Sequence, residues 1–334
     1  MKRVLVVGSS WVGDMVMAQS LFKVLRGGAD ECHISVLAPA WSAPVSARMP
    51  EVAETIAMPI GHGRLGLAAR WRLARDLKGR FEQAIILPGS FKSALVPWFA
   101  RIPLRTGYTG EQRHGLLNDR RTLDRDAMPF HLQRVAGLGL PKSTPPQALD
   151  SIPWPVLKID PVTRQEAAGQ HGILSGAPMV AICPGAEFGP AKQWPAAHFA
   201  EVAKASLEQG RQVVIFGSNR DAAIASRIGE LAPGALDLTG KTNLGEAIDL
   251  LSLADHVVTN DSGLMHIAAA VDTHVVAIYG SSSDTYTPPL HPAANRLGRT
   301  LSCRPCFQRE CPLGHLDCRT GSDPAEVIAL IEDC

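Results

Sequence analysis

The sequence predicts an α/β protein made of two doubly wound parallel-sheet domains. Three observations carry this prediction. Short apolar runs alternate with helix-period stretches over the first 140 residues, which is the pattern of βαβ units. A tract holding Pro141, Pro145, Pro146, Pro153, Pro155 and Pro161 then interrupts the pattern and reads as a linker. Beyond it the strand–helix alternation starts again. At 334 residues and 46% hydrophobic content, the chain supplies enough apolar material for two cores. The expected limits are an N-terminal domain over 1–160 with its linker from about 141, a C-terminal domain over 178–322, and a terminal helix over 323–334.

In the first half, residues 4–8, 33–38 and 84–88 read as strands. Residues 15–25 read as a helix, because Met17, Leu21, Val24 and Leu25 form one stripe. The second half offers strands at 179–183, 212–216, 235–238, 256–259 and 275–279. Helices fall at 196–209, closing at Gly210, and at 221–231 and 244–253. Asp323 before Pro324 is a helix start, an N-cap followed by proline at the first position. Two such domains place a cleft between their strand ends, where open parallel sheets bind ligands.

Charge is divided along the chain. Residues 1–150 hold 20 Lys and Arg against 12 Asp and Glu, or +8, whereas the whole chain has +1. The N-terminal half therefore suits an anionic partner, unless the imbalance merely decorates solvated faces. Arg64, Arg70, Arg72, Arg75, Lys78 and Arg80 stud a helical stretch with Leu65, Leu67, Trp71 and Leu73, which suits a membrane surface or an acidic ligand, although a solvated charged face packed on the sheet is the commoner origin of such a pattern. A nucleic-acid binder is disfavoured by 5% aromatic residues and the near-neutral total. Met1-Lys2-Arg3 leads directly into an apolar strand, too short for a signal-peptide core. No run of about 18 apolar residues exists, so a cytoplasmic protein is expected.

The stretch 256–270 is the most informative. An apolar strand enters a short polar loop, and a helix begins at once, placing Ser262 and Gly263 at a helix N-terminus. Unpaired amides and the positive dipole end favour an anion there. Asp261 sits at the strand end and His266 one turn into the helix, a set that suits a nucleotide-sugar diphosphate. An ordinary helix cap reads the same residues equally well. Gly185, Ala186 and Lys192 lie in a glycine- and proline-rich loop after another strand, where the lysine is placed to contact phosphate. Asp221, in a third strand–loop–helix junction, either meets a ribose hydroxyl or caps its helix.

In the first half, Gly8 and Gly13 let the chain turn tightly, although neither a dinucleotide nor an ATP fingerprint is present. Asp14 follows at a helix start, placed either to accept a proton from an attacking hydroxyl or to complement the helix dipole. Lys92, Arg105, Arg113 and Arg120 lie in or beside loops and are candidate phosphate contacts. Cys303, Cys306, Cys311 and Cys318 crowd into 16 residues, which reads as a thiolate site for structural Zn or Fe, with free thiols the alternative, rather than a disulfide framework.

Several tracts together resemble the ADP-heptose:lipopolysaccharide heptosyltransferases of Gram-negative bacteria, glycosyltransferase family 9. They are 8–15 (GSSWVGDM), 87–97 (LPGSFKSALVP), 105–107 with 115–119 (RTG and GLLND), 184–195 (PGAEFGPAKQWP) and 259–266 (TNDSGLMH). The resemblance implies a GT-B fold, with two Rossmann-like domains facing across a cleft. It implies inverting transfer of L-glycero-D-manno-heptose from ADP-heptose to the first heptose of the inner core, on a lipid A-Kdo-heptose acceptor. It places the enzyme in the cytoplasm, peripheral to the inner membrane. Asp14 then resembles the general base and Lys192 the group that neutralises leaving ADP. Asp261, Ser262, Gly263 and His266 hold diphosphate and heptose, with Asp221 at the ribose if its loop aligns. No cofactor is implied for transfer, while iron held on cysteines in related autotransporter heptosyltransferases strengthens the metal expectation. A neighbouring acceptor specificity, or another GT-B nucleotide-sugar enzyme such as an epimerase, is the alternative.

Overall fold

The computed structural model describes residues 1–28, 31–61, 63–145, 149 and 151–332. Pro146 of the expected linker and the last two residues of the expected terminal segment lie outside the described residues. The chain divides into two compact units, Met1–Leu157 and Lys158–Cys334.

In the first unit the chain runs β1 (Lys2–Val7), α1 (Val12–Arg26), β2 (Cys32–Pro39), α2 (Ala43–Ala47) and β3 (Val52–Met58). It continues through α3 (Leu67–Asp76), β4 (Gln83–Ile86), α4 (Leu95–Phe99), β5 (Leu104–Tyr108), β6 (Asp119–Arg121) and α5 (His131–Ala136). The six strands are parallel and ordered β3-β2-β1-β4-β5-β6. Winding therefore reverses between β1 and β4, and ligands of such sheets bind at the carboxyl ends beside that reversal. Helices α1, α2 and α5 pack as one group and α3 with α4 as another. Right-handed crossovers on either side of the reversal put the two groups on opposite faces. Leu5, Val7, Leu37, Ala84 and Ile86 of the sheet are buried against Ala74, Leu77, Phe81 and Ile102. Helix α1 carries Asp14 in its first turn and Lys23 and Arg26 in its last, both favourable to its dipole.

The second unit repeats this winding. It comprises α6 (Pro161–His171), β7 (Met179–Cys183), α7 (Ala196–Glu208), β8 (Gln212–Ile215), α8 (Ala222–Leu231), β9 (Leu236–Asp237) and α9 (Leu244–Leu251). Then follow β10 (His256–Asn260), α10 (Gly263–Ala270), β11 (His274–Ile278), β12 (Asn295–Leu297), α11 (Asp317–Thr320) and α12 (Pro324–Glu332). The parallel order is β12-β11-β10-β7-β8-β9, so the reversal falls between β7 and β10. Both strands are wholly buried, as a central parallel strand must be. Val180, Ile182, Val258 and Val276 pack with Trp194, Phe199 and the terminal-helix residues Val327 and Ile331 in one core. The expectation of two doubly wound parallel sheets is met. Strands β3, β5, β6 and β12 are additions that the apolar pattern does not reveal.

Candidate functional site

The second unit gathers polar chemistry at the carboxyl ends of β7 and β10, beside its winding reversal. Asn260, the last residue of β10, is fully buried. Its Oδ1 accepts the Trp194 N–H at 2.9 Å and its Nδ2 donates to the Pro184 carbonyl at 2.7 Å. One side chain thus fastens both ends of the 184–195 loop to the sheet. That loop delivers Lys192, whose Nζ donates to Asp261 Oδ2 at 2.5 Å. The lysine side chain is 16% exposed and the carboxylate 5%, so the pair is largely shielded and the lysine keeps some exposure. The Phe188 ring lies 5.0 Å from the ammonium and also carries the Arg309 guanidinium at 5.4 Å.

Helix α10 begins at the same place. Ser262 is its N-cap in extended conformation, yet its side chain makes no capping bond to the helix. The first-turn amides therefore retain their affinity for an anion beside the Lys192 ammonium. His266 is buried one turn further on. Asp221 accepts from the Ser218 N–H and Oγ, both at 2.8 Å, and is also the N-cap residue of α8. A Cβ on Gly185 would lie 2.8 Å from the Asp221 carboxylate, so glycine permits this close approach at the end of β7. Ala186 O accepts from the Gly189 N–H at 3.0 Å and shapes the turn into Lys192.

The cysteine segment acts on this loop through its backbone. Arg309 O accepts from the Ala191 N–H at 3.0 Å, and the Arg319 guanidinium donates to Gln193 O at 2.8 Å. Gly189, at φ 155°, would bring a Cβ to 2.7 Å from Arg309 O. Cys303, Cys306, Cys311 and Cys318 are free. Backbone N–H groups led by that of Leu316 hold the Cys311 thiol below its ordinary pKa, whereas burial raises that of Cys318. Among the described residues, no group of three or more His, Cys, Asp or Glu side chains is arranged to hold a metal ion. The expected Zn or Fe therefore finds no support in the geometry of these residues.

In the first unit, Asp14 lies in the first turn of α1 at the carboxyl end of β1. Its Oδ2 accepts from Ser9 Oγ at 2.9 Å, and its Oδ1 is 3.7 Å from His131 Nε2. Burial holds the His131 pKa below its ordinary value, against the opposing pull of Asp14. Lys92 is half-buried in a 3-10 turn after β4, and Arg120 is exposed on the edge strand β6. The two other arginines expected at the acceptor are engaged by backbone carbonyls. Arg113 is buried and donates to the carbonyls of Tyr108 at 3.0 Å and Pro88 at 2.6 Å. Arg105 donates to the carbonyls of Leu116 at 2.7 Å and Ile102 at 2.6 Å. Both guanidinium groups fasten the β4–β6 connections, and burial lowers the pKa of each. Sequence reading missed Asn260, Trp194 and Arg309, whose partners are far away in the chain. No helix among the described residues is long and apolar enough to cross a membrane.

A doubly wound unit repeated along one chain, with chemistry gathered at strand carboxyl ends, is the build of the GT-B glycosyltransferases. The profile of glycosyltransferase family 9 (heptosyltransferase) matches residues 70–317. Lipopolysaccharide heptosyltransferase 2 of Salmonella typhimurium is 46% identical over 297 residues, covering 86% of this chain and 85% of the relative. The solved structure of E. coli ADP-heptose LPS heptosyltransferase II aligns over 100% of both chains, with TM-score 0.83 and 40% identity. A family 9 glycosyltransferase from Veillonella parvula aligns over 99% of this chain and 96% of its own with TM-score 0.87, at 22% identity a likeness of fold alone. The chain belongs to glycosyltransferase family 9, the heptosyltransferases.

Proposed function

We propose that this glycosyltransferase moves L-glycero-D-manno-heptose from ADP-heptose to the first heptose of the lipopolysaccharide inner core, with inversion. The names of its relatives point to this donor and to a lipopolysaccharide acceptor. The observation that carries the reading is the Lys192–Asp261 pair at the uncapped start of α10. A nucleotide diphosphate laid there meets an ammonium and free amides, while Asp261 offers an acceptor for sugar hydroxyls or orients Lys192.

Asp14 supplies the base. As the acceptor oxygen attacks the anomeric carbon, its proton passes to the Asp14 carboxylate, and the bond from that carbon to the β-phosphate oxygen breaks. The bonding electrons leave with ADP, whose added charge is met by Lys192 and the α10 amides. In-line displacement inverts the anomeric carbon. These groups supply the charge without a cofactor. The acceptor is anchored in lipid, so the enzyme works against the cytoplasmic face of the inner membrane. Lys92 and Arg120 remain candidate contacts for its phosphates. Transfer from ADP-heptose should occur to an acceptor carrying one heptose and be weak with none or two. Equal use of all three acceptors would refute the assigned position.

A further inference from the structure

We propose that the first turns of α3, with the segment leading into them, form a docking face that seats the first unit on an anionic lipid surface. The proposal rests on the reading that the acceptor is lipid-borne. Helix α3 places its residues against expectation. Arg70 is buried and its Nε donates to Leu65 O at 2.7 Å. Leu67 and Trp71, one turn apart on the outer face, are each 50% exposed, and Leu65 is 47% exposed. A helix that keeps a guanidinium inside and an indole outside presents an interfacial surface.

Charge selects the occupant. Residues 64–80 hold six Lys or Arg and one acid, Asp76. Arg70 is turned inward and Arg80 pairs with Glu54 at 2.6 Å, while Arg72 and Arg75 are exposed on the same helix as Trp71. The Arg75 guanidinium lies 5.0 Å from the Trp71 ring centroid. Indole with adjoining cations is the composition that settles at an anionic headgroup layer. Helix α4, packed beside α3, adds Trp98 at 43% exposure. The pattern belongs to this unit: Trp11, Trp41, Trp71, Trp98 and Trp154 are all exposed, whereas Trp194 of the second unit is wholly buried.

Topology gives the face its use. The connection from β3 to α3 leaves the sheet at the strands' carboxyl ends, the edge that also carries the β1–α1 loop and Asp14. A bilayer meeting the start of α3 therefore borders the edge where the proposed base waits.

The test is co-sedimentation of the full chain with phosphatidylcholine vesicles containing about one-third phosphatidylglycerol, compared with phosphatidylcholine alone. The chain should partition onto the anionic vesicles and be released as salt rises. Each cation at such a surface contributes about fivefold, so R72Q/R75Q should lower partition by about twenty-fivefold. L67E/W71E should lower it at least tenfold, roughly, by removing the apolar anchor, and W71F should retain it. Circular dichroism melts matching the parent establish that the variants fold. Wild-type chain left in the supernatant with anionic vesicles at low salt would overturn the proposal, as would undiminished partition of a folded L67E/W71E variant. Transfer to a lipid-free acceptor saccharide separates the two readings. L67E/W71E should match wild type there, whereas failure of wild-type transfer would count against the heptosyl reading while leaving vesicle binding to decide the docking face.

Discussion

Replacing Asn260 with alanine should loosen the donor loop from the sheet. The wild-type side chain satisfies two groups at once, the Trp194 N–H at 2.9 Å and the Pro184 carbonyl at 2.7 Å. Trp194 and Pro184 are both buried, so water does not readily replace the lost partner. Each buried group left without a partner costs about 1–3 kcal/mol. The sum, about 2–6 kcal/mol, is a large share of the roughly 5–15 kcal/mol that stabilises a domain. Urea denaturation followed by circular dichroism should show the second unit's midpoint falling with little change in slope. Because the same loop carries Lys192, ADP affinity measured by calorimetry should drop by about tenfold or more, equivalent to some 1.4 kcal/mol. A midpoint within about 0.5 kcal/mol of wild type, together with unchanged ADP binding, would refute the claim that Asn260 holds the loop.

Lys192→Met should weaken ADP binding by about tenfold or more and lower the melting temperature, because Asp261 is left buried without its cation; calorimetry and thermal melts check both effects. His131 is held below its ordinary pKa of 6.5 by burial, so the unfolded chain binds the proton more readily. Its contribution to stability is therefore complete above pH 6.5 and is lost as pH falls through the folded-state value. His131→Gln should flatten that part of the thermal-melt profile, and an unchanged profile would place the acid sensitivity elsewhere, for example at His256, which burial also depresses.

Strands with β-branched, continuous apolar runs were legible in the sequence because they are buried on both faces. MVAIC in β7 and HVVTN in β10 are of this kind. β6 reads DRR and is a strand only because β5 pairs with it, and α4 keeps Pro97 inside a short helix. Neither has a local signal. At the candidate site, Asp261, Ser262 and Gly263 announce themselves by standing where an apolar strand turns into a helix. Asn260 does not, because its partners lie 66 and 76 residues away. The backbone contacts of Arg105 and Arg113 are hidden for a related reason. A charge count treats every arginine as solvent-facing, whereas these two satisfy backbone carbonyls under the β4–β6 connections. The cysteine spacing suggested a metal cage, yet what that segment visibly provides is backbone contact with the Lys192 loop.

The proposed mechanism divides the labour, with the proton acceptor on the first unit and the donor site on the second. Asp14→Ala tests it most directly, with ADP-heptose binding and single-turnover transfer measured on the same preparation. Donor affinity should stay within about twofold of wild type while transfer falls by about 10²–10⁴-fold, the usual contribution of a positioned base. Near-normal transfer by a folded Asp14→Ala protein would rule out Asp14 as the proton acceptor.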